Sequence, residues 1–221
     1  LKENKELVCH LLVAAAEETL DYPDRSGATA FHLMAVHGFD ALLASCLKIN
    51  MDAVFKANHL SRYPIHEALL NGQLDIVKRL LPLKKTACLT DREDRSPLHY
   101  AVLYGTEEML KICCKNTHNL DPQDSKERTP LMLAVIEQNI KRIEVLMEYG
   151  ANPTLTDADQ STLLHLAVRT GNTDIVSWVL NNTPVDVNGV NQKGLTALAE
   201  AQALHNDNIE HILVNGQLKI K

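Results

Sequence analysis

Aromatic residues are scarce in this chain. Phe, Trp and Tyr make up 4% of its 221 residues, with a single Trp. That is too few large rings for a β-sandwich or for the large central core of a compact enzyme. Basic charge is also in deficit: 22 Lys and Arg face 28 Asp and Glu, a net charge of −6. Such a balance lacks the positive surface that grips nucleic acid or anionic lipid regardless of sequence, so neither is an expected partner. No apolar run approaches the ~20 residues that span a bilayer, and no membrane insertion is expected. The first segment, LKENKELVCHLLVAAAEE, has acidic residues on both sides of its short apolar stretch, unlike a signal peptide. Its opening Leu, in place of Met, reads as the start of a piece excised from a longer protein.

Cysteine is sparse as well. Cys9, Cys46, Cys88, Cys113 and Cys114 are odd in number, and no CxxC pair occurs. Cys113 and Cys114 are neighbours that point apart on a helix and so make poor partners. All five read as small buried hydrophobes in a reducing compartment, which makes the cytoplasm the expected location. The nucleus, or the cytosolic part of a larger protein, fits the same reading. In that setting Asn181-Asn182-Thr183 is a glycosylation signal by accident. Catalytic signatures are missing too: there is no HExxH, GxSxG, GxxxxGK[ST] or GxGxxG. His32 with His37, and His205 with His211, are five and six residues apart, off the i, i+4 spacing that puts two ligands on one helix face. The sequence therefore gives no reason to expect a catalytic residue, a cofactor or a metal site.

What the chain does have is a phrase that recurs. TAFHLMAVHG (29–38), YPIHEALLNG (63–72), SPLHYAVLYG (96–105), TPLMLAVIEQ (129–138), STLLHLAVRTG (161–171) and LTALAEAQALH (195–205) align. The aligned positions His32, His66, His99, Met132, His165 and Ala199 lie 34, 33, 33, 33 and 34 residues apart. Each phrase reads as a short helix. In the third, Ser96 caps the first turn, Pro97 sits where its missing N–H does no harm, Leu98, Ala101 and Val102 share a face, and Gly105 ends the helix in the left-handed region. A second helical pattern follows each phrase, as in QLDIVKRLL with Ile76, Val77, Leu80 and Leu81 on one face. Turn chemistry closes the unit: YGANP (149–153), then a polar stretch holding Asp24, Asp91, Asp124, Asp157 or Asn191. Neither helix can bury its face alone, so units must stack on their neighbours. Ala35, Ala68, Ala101, Ala134, Ala167 and Ala201 are small enough to let successive first helices approach closely.

The TPLH-like phrase, the Ala, the Gly, the IVxxLL helix and the GANP turn together resemble ankyrin repeats. The resemblance runs from residue 24 to about 215. It implies an all-α ankyrin-repeat solenoid of stacked helix-turn-helix units with β-hairpin-like loops, the repeats starting near 24, 58, 91, 124, 157 and 191. Residues 1–23 then form an N-terminal capping helix or half repeat, ahead of the array at 24–221. The resemblance also implies that His32, His66, His99 and His165 are structural, bonding loop backbone and tying one unit to the next, while Met132 and Ala199 leave two junctions untied. Pro is absent from the first turn at Ala30, Leu163 and Ala197, and Gln138 stands where a helix-ending Gly belongs. KINMDAV (48–54) and LPLKKTACLT (81–90) read as longer loops between units.

An array of this kind binds partners on an extended concave face of first helices and loop tips. The outward positions are the residue after the His and those three and four further on. These are Leu33, Val36, His37; Glu67, Leu70, Asn71; Tyr100, Leu103, Tyr104; Leu133, Ile136, Glu137; and Leu166, Arg169, Thr170. Tyr100, Leu103, Tyr104, Leu133 and Ile136 are unusually apolar for a surface and are expected to form a partner patch, with Leu70, His37 and Arg169 beside it. Leu133 and Leu166 also suit half-buried positions between helices. Arg92, Arg95 and Arg128 make the 92–128 loop tips basic, apt for an acidic or phosphorylated peptide, although a solvated rim explains them as well. Trp178 reads as semi-buried and structural. The expected function is a module that binds another protein or peptide segment. The other reading is a regulatory segment of a larger enzyme or ion channel, acting by intramolecular or oligomeric contacts.

Overall fold

The computed structural model describes residues 20–83 and 85–219, with side chains to residue 215. The expected N-terminal capping helix or half repeat lies largely outside the described residues. The chain divides into two compact units, one ending at Thr117 and one beginning at His118, a boundary that the repeat pattern does not mark.

The first unit holds three helix pairs: α1 (Ala30–His37) with α2 (Asp40–Ile49), α3 (Pro64–Leu70) with α4 (Leu74–Leu80), and α5 (Pro97–Leu103) with α6 (Glu107–Asn116). First helices pack in the order α1, α3, α5, and second helices in the order α2, α4, α6. The second unit repeats the plan with α7 (Pro130–Ile136) and α8 (Ile140–Tyr149), α9 (Leu163–Arg169) and α10 (Thr173–Asn182), and α11 (Ala197–Ala203) and α12 (Asp207–Lys219). There α7 packs on α9, α9 on α11, and α10 on α12. Among the described residues no β-strand forms; the loops hold only an isolated antiparallel bridge, Val190 to Thr196. The stretches at 48–54 and 81–90 are not plain loops. They carry short 3-10 helices at Asp52–Phe55 and Thr86–Cys88, the first packed on α1 and the second on α5.

The first helices are short because both of their ends are fixed. Pro64, Pro97 and Pro130 occupy the first helical position, where no N–H is needed. Their far ends turn through the left-handed region at Gly38, Gly72 and Gly171, and also at Gln138 and His205, which adopt φ of 55° and 53° without glycine's freedom. Gly105 differs from the expectation. Its φ is not positive, and its role is close approach: a Cβ there would meet the Ala101 carbonyl oxygen at 2.8 Å. The six alanines are fully buried, as close packing of first helices requires. Around them the core is aliphatic, with Ile65, Leu69, Ile76, Val77 and Leu80 at its centre in the first unit and Leu131, Val135, Ile143, Leu146, Leu164 and Ile175 in the second.

Candidate functional site

Each repeat is founded on one Asp or Asn, whose Oδ1 accepts two backbone N–H groups. Asp24 takes Ser26 and Ala28 (2.8 and 2.9 Å), Asp91 takes Glu93 and Arg95 (2.9 and 3.0 Å), and Asp124 takes Lys126 and Arg128 (2.9 Å each). Asp157 takes Asp159 and Ser161 (3.0 and 2.7 Å), and Asn191 takes Lys193 and Leu195 (2.9 and 3.2 Å). Asn58 does the same with Leu60 and Arg62 (2.9 and 3.0 Å). It escaped the sequence reading, although its spacing of 34 and 33 residues from Asp24 and Asp91 was the signal that could have found it. The residue three places on is left-handed in every repeat: Gly27, Ser61, Asp94, Glu127, Gln160 and Gly194. Four of these six are not glycine and carry a local cost of about 1 kcal/mol each.

His32 and His165 then tie repeats together. His32 Nδ1 accepts the Thr29 N–H (3.1 Å), which places its proton on Nε2, and Nε2 donates to the Arg62 carbonyl at the next loop (2.9 Å). His165 does the same, accepting from Thr162 N–H (3.2 Å) and donating to Leu195 O (2.9 Å). His66 Nδ1 accepts the Tyr63 N–H (3.1 Å) and His99 Nδ1 the Ser96 N–H (3.1 Å). His66 Nε2 is buried without a hydrogen bond: the Leu89 carbonyl favours its protonated form but does not reach bonding geometry. Burial pushes the His66 pKa down to about 4 against the pull of Asp91, and burial likewise lowers that of His32. Where histidine is missing, a threonine hydroxyl takes the helix N–H directly: Thr129 from Met132 (3.3 Å) and Thr196 from Ala199 (3.2 Å).

Several expected partner residues belong instead to these internal networks. Tyr100 does not face outward. It is fully buried, its hydroxyl donates to Asp91 Oδ2 (2.7 Å), and its ring lies between His66 (4.7 Å) and Tyr104 (5.5 Å). Arg95 is folded inward too, bound through Nε and Nη2 to Asp91 Oδ2 (3.0 and 2.8 Å) and lying over the Tyr100 ring (5.3 Å). Burial opposes the Asp91 charge, but the Arg95 and Tyr100 bonds outweigh it and hold its pKa below the ordinary value. Arg128 likewise binds Asp124 Oδ2 (2.9 and 2.7 Å). Glu67, one repeat before Tyr100, reaches back in the same way and accepts from Asn58 Nδ2 (3.3 Å). The polar residues directly after the His in these two repeats therefore point at their own loops, nine residues earlier. Of that register only Leu33 is exposed, and Leu133 and Leu166 are buried. Arg169 pairs with Glu200 (2.8 Å).

The other two registers do reach solvent. Val36, Leu70 and Leu103 are half-buried on α1, α3 and α5 of the first unit, and Ile136 is half-buried on α7 of the second. His37, Asn71 and Tyr104 are exposed beside the first three, His37 stacking on Phe39 (5.6 Å). Arg92 is exposed at a loop tip and donates to the His59 carbonyl. Trp178 is half-buried on α10. Cys46, Cys113 and Cys114 are buried as expected and Cys9 lies outside the described residues, but Cys88 is exposed, at the end of the short 3-10 helix Thr86–Cys88; burial raises the Cys113 pKa and pushes that of Cys114 up to about 11. Among the described residues no group of three His, Cys, Asp or Glu converges as a metal site, and no helix is long and apolar enough to cross a membrane.

Comparison with known proteins agrees with this geometry. A family description of ankyrin repeats in three copies matches residues 65–157 and 151–221. No curated protein matches the chain. Among solved structures, the chain is similar to the ankyrin repeat domain of Bcl-3, a member of the IkappaB protein family, with a TM-score of 0.79 at 20% identity over 87% of each chain. Such a likeness speaks to the fold alone. The repeated loop carboxylates and amides, the histidine ties and the family match over most of the chain agree: this protein belongs to the ankyrin repeat family.

Proposed function

We propose that this chain is a protein-interaction module that seats a segment of a partner protein across the first helices of its first unit. Ankyrin repeats are protein-interaction modules. The observation that supports this site is a row of partly exposed apolar side chains, Val36, Leu70 and Leu103, placed at one register on three first helices that pack in sequence. His37, Asn71 and Tyr104 flank the row as polar and aromatic contacts, and Arg92 stands at the loop rim. Tyr is enriched at binding hot spots, and partly exposed apolar side chains grouped on a surface mark interaction sites. Leu70, Leu103, Tyr104 and His37 therefore carry the contact, and Ile136 is the matching position on α7. Tyr100 and Arg95 support the site from within. The partner face corresponds to the concave face of this family.

A photo-crosslinking amino acid at Leu103 or Tyr104 tests this, with Ser45 on α2 as the control position. The expected result is one protein adduct from positions 103 and 104 that is lost when Leu70→Asp is added. Adducts of equal yield from Ser45, or no Leu70-dependent adduct, would overturn the site.

A further inference from the structure

Unit 2 has a second feature on its other helices. Between α8 and α10 lies an open groove of about 350 Å³, lined by Glu144, Met147 and Glu148 from α8 and by Trp178 and Asn182 from α10. Its volume falls at the lower end of the roughly 300–1,000 Å³ of small-ligand clefts. We infer that this groove receives the arginine side chain of a basic peptide. The site is separate from the first-helix face and does not depend on what binds there.

Three observations specify the occupant. First, the polar lining offers acceptors. Glu144 and Glu148 are carboxylates, and Asn182 spends its Nδ2 on the Trp178 carbonyl (2.9 Å), which leaves its Oδ1 to accept. A ligand must bring the donors, and guanidinium carries five in a planar fork. Second, the two carboxylates have no ion-pair partner among the described residues. Second helices of the first unit neutralise one another instead: Lys78 of α4 binds Glu108 of α6 (2.8 Å), and Arg79 of α4 binds Asp40 of α2 (2.6 Å). The charge that the first unit supplies from within is left for a ligand to supply at α8 and α10. Third, the apolar lining is the half-buried Trp178 with Met147. Indole is the best aromatic face for a cation, and guanidinium stacks on it.

Trp178 is the one Trp of the chain, so its fluorescence reports from this groove alone. The intact protein is titrated with an eight-residue peptide carrying two arginines and with its lysine and citrulline counterparts. The expected result is a saturable change with the arginine peptide, weaker binding of the lysine peptide and no response to citrulline, which keeps the shape without the charge. Glu144→Gln with Glu148→Gln weakens arginine-peptide binding about five- to tenfold, the loss of two exposed charge pairs. Glu127→Gln with Asp207→Asn removes the same net charge elsewhere and leaves affinity within about twofold, which separates the groove from general attraction to an acidic chain. All four are exposed positions, and circular dichroism melts confirm that both double variants fold. No saturable response to the arginine peptide, an equal response to citrulline, or equal weakening in both double variants would overturn the inference.

Discussion

His165→Ala removes one tie between repeats and isolates what that tie contributes. The imidazole is fully buried; it accepts the Thr162 N–H at 3.2 Å and donates to the Leu195 carbonyl at 2.9 Å. Truncation loses two hydrogen bonds of about 1 kcal/mol each and leaves the Leu195 carbonyl without that donor. It also opens a ring-sized void between α9 and the next loop, which adds to the cost. The Thr162 hydroxyl, 2.8 Å from Nδ1, offsets part of this by turning to the helix N–H, as Thr129 and Thr196 do in the repeats without histidine. The expected net loss is about 2–4 kcal/mol. With a urea slope of about 1–3 kcal/mol per M, the midpoint falls by about 1 M or more. Trp178 sits on α10, the second helix of the same repeat, so its fluorescence follows the affected region while far-UV circular dichroism follows the whole chain. Thr162→Val keeps the Leu195 bond and is expected to cost under about 1 kcal/mol. A His165→Ala midpoint within about 0.3 M of the parent, at unchanged slope, would refute the tie.

Stability should also follow His66 with pH. Unfolded His66 takes a proton as the pH falls through 6.5, but the folded site resists until about 4, so stability is full above 6.5 and drops by about 3 kcal/mol down to pH 4. Asp91 and Asp124, with lowered pKa values, lose their contribution only below that window, and urea midpoints that stay flat between pH 7 and 4.5 would contradict the histidine assignment. Glu127, held at φ 57°, should gain up to about 1 kcal/mol as Glu127→Gly, while Gly194→Ala at the equivalent turn should lose about as much, both read from thermal melts. In the folded protein a thiol reagent mapped by mass spectrometry should label Cys88 and leave Cys46, Cys113 and Cys114 untouched; labelling of Cys113 at a comparable rate would contradict its burial.

The repeat plan is legible because the chain writes it six times. The period, the small residue on each first helix and the hydroxyl–Pro–Leu–His phrase report local rules that no neighbour can alter. The directions of individual side chains are harder to read. A helical wheel places Tyr100 beside Leu103 and Tyr104, but Tyr100 has a hydroxyl, and Asp91 nine residues earlier is fixed by its own turn within reach of it. Glu67 behaves alike toward Asn58, so a polar side chain after the histidine is directed by the loop in these two repeats. The column Arg62, Arg95 and Arg128, each four residues after its Asx, carried the same information. Arg95 and Arg128 read as surface charge because the buried Asp91 and Asp124 that hold them also accept backbone N–H groups, a double use that spacing alone does not reveal. Gly105 was misread for a simpler reason: glycine serves both a left-handed turn and a close contact, and only the position of the Ala101 carbonyl separates the two.

The division of labour along α5 is the claim on which the rest depends, and one paired comparison measures it: urea midpoint and partner crosslinking yield, with the photo-crosslinking amino acid moved to the exposed Asn71, for Tyr100→Phe beside Leu103→Asp with Tyr104→Asp. Tyr100→Phe should lower stability by about 1–3 kcal/mol through the lost hydrogen bond to the Asp91 carboxylate, which Arg95 still holds, while keeping the crosslink, and the double variant should lose the crosslink with a midpoint shift no larger than that of Tyr100→Phe. A stable Tyr100→Phe protein that no longer crosslinks, or a double variant that unfolds early and still binds, would contradict it.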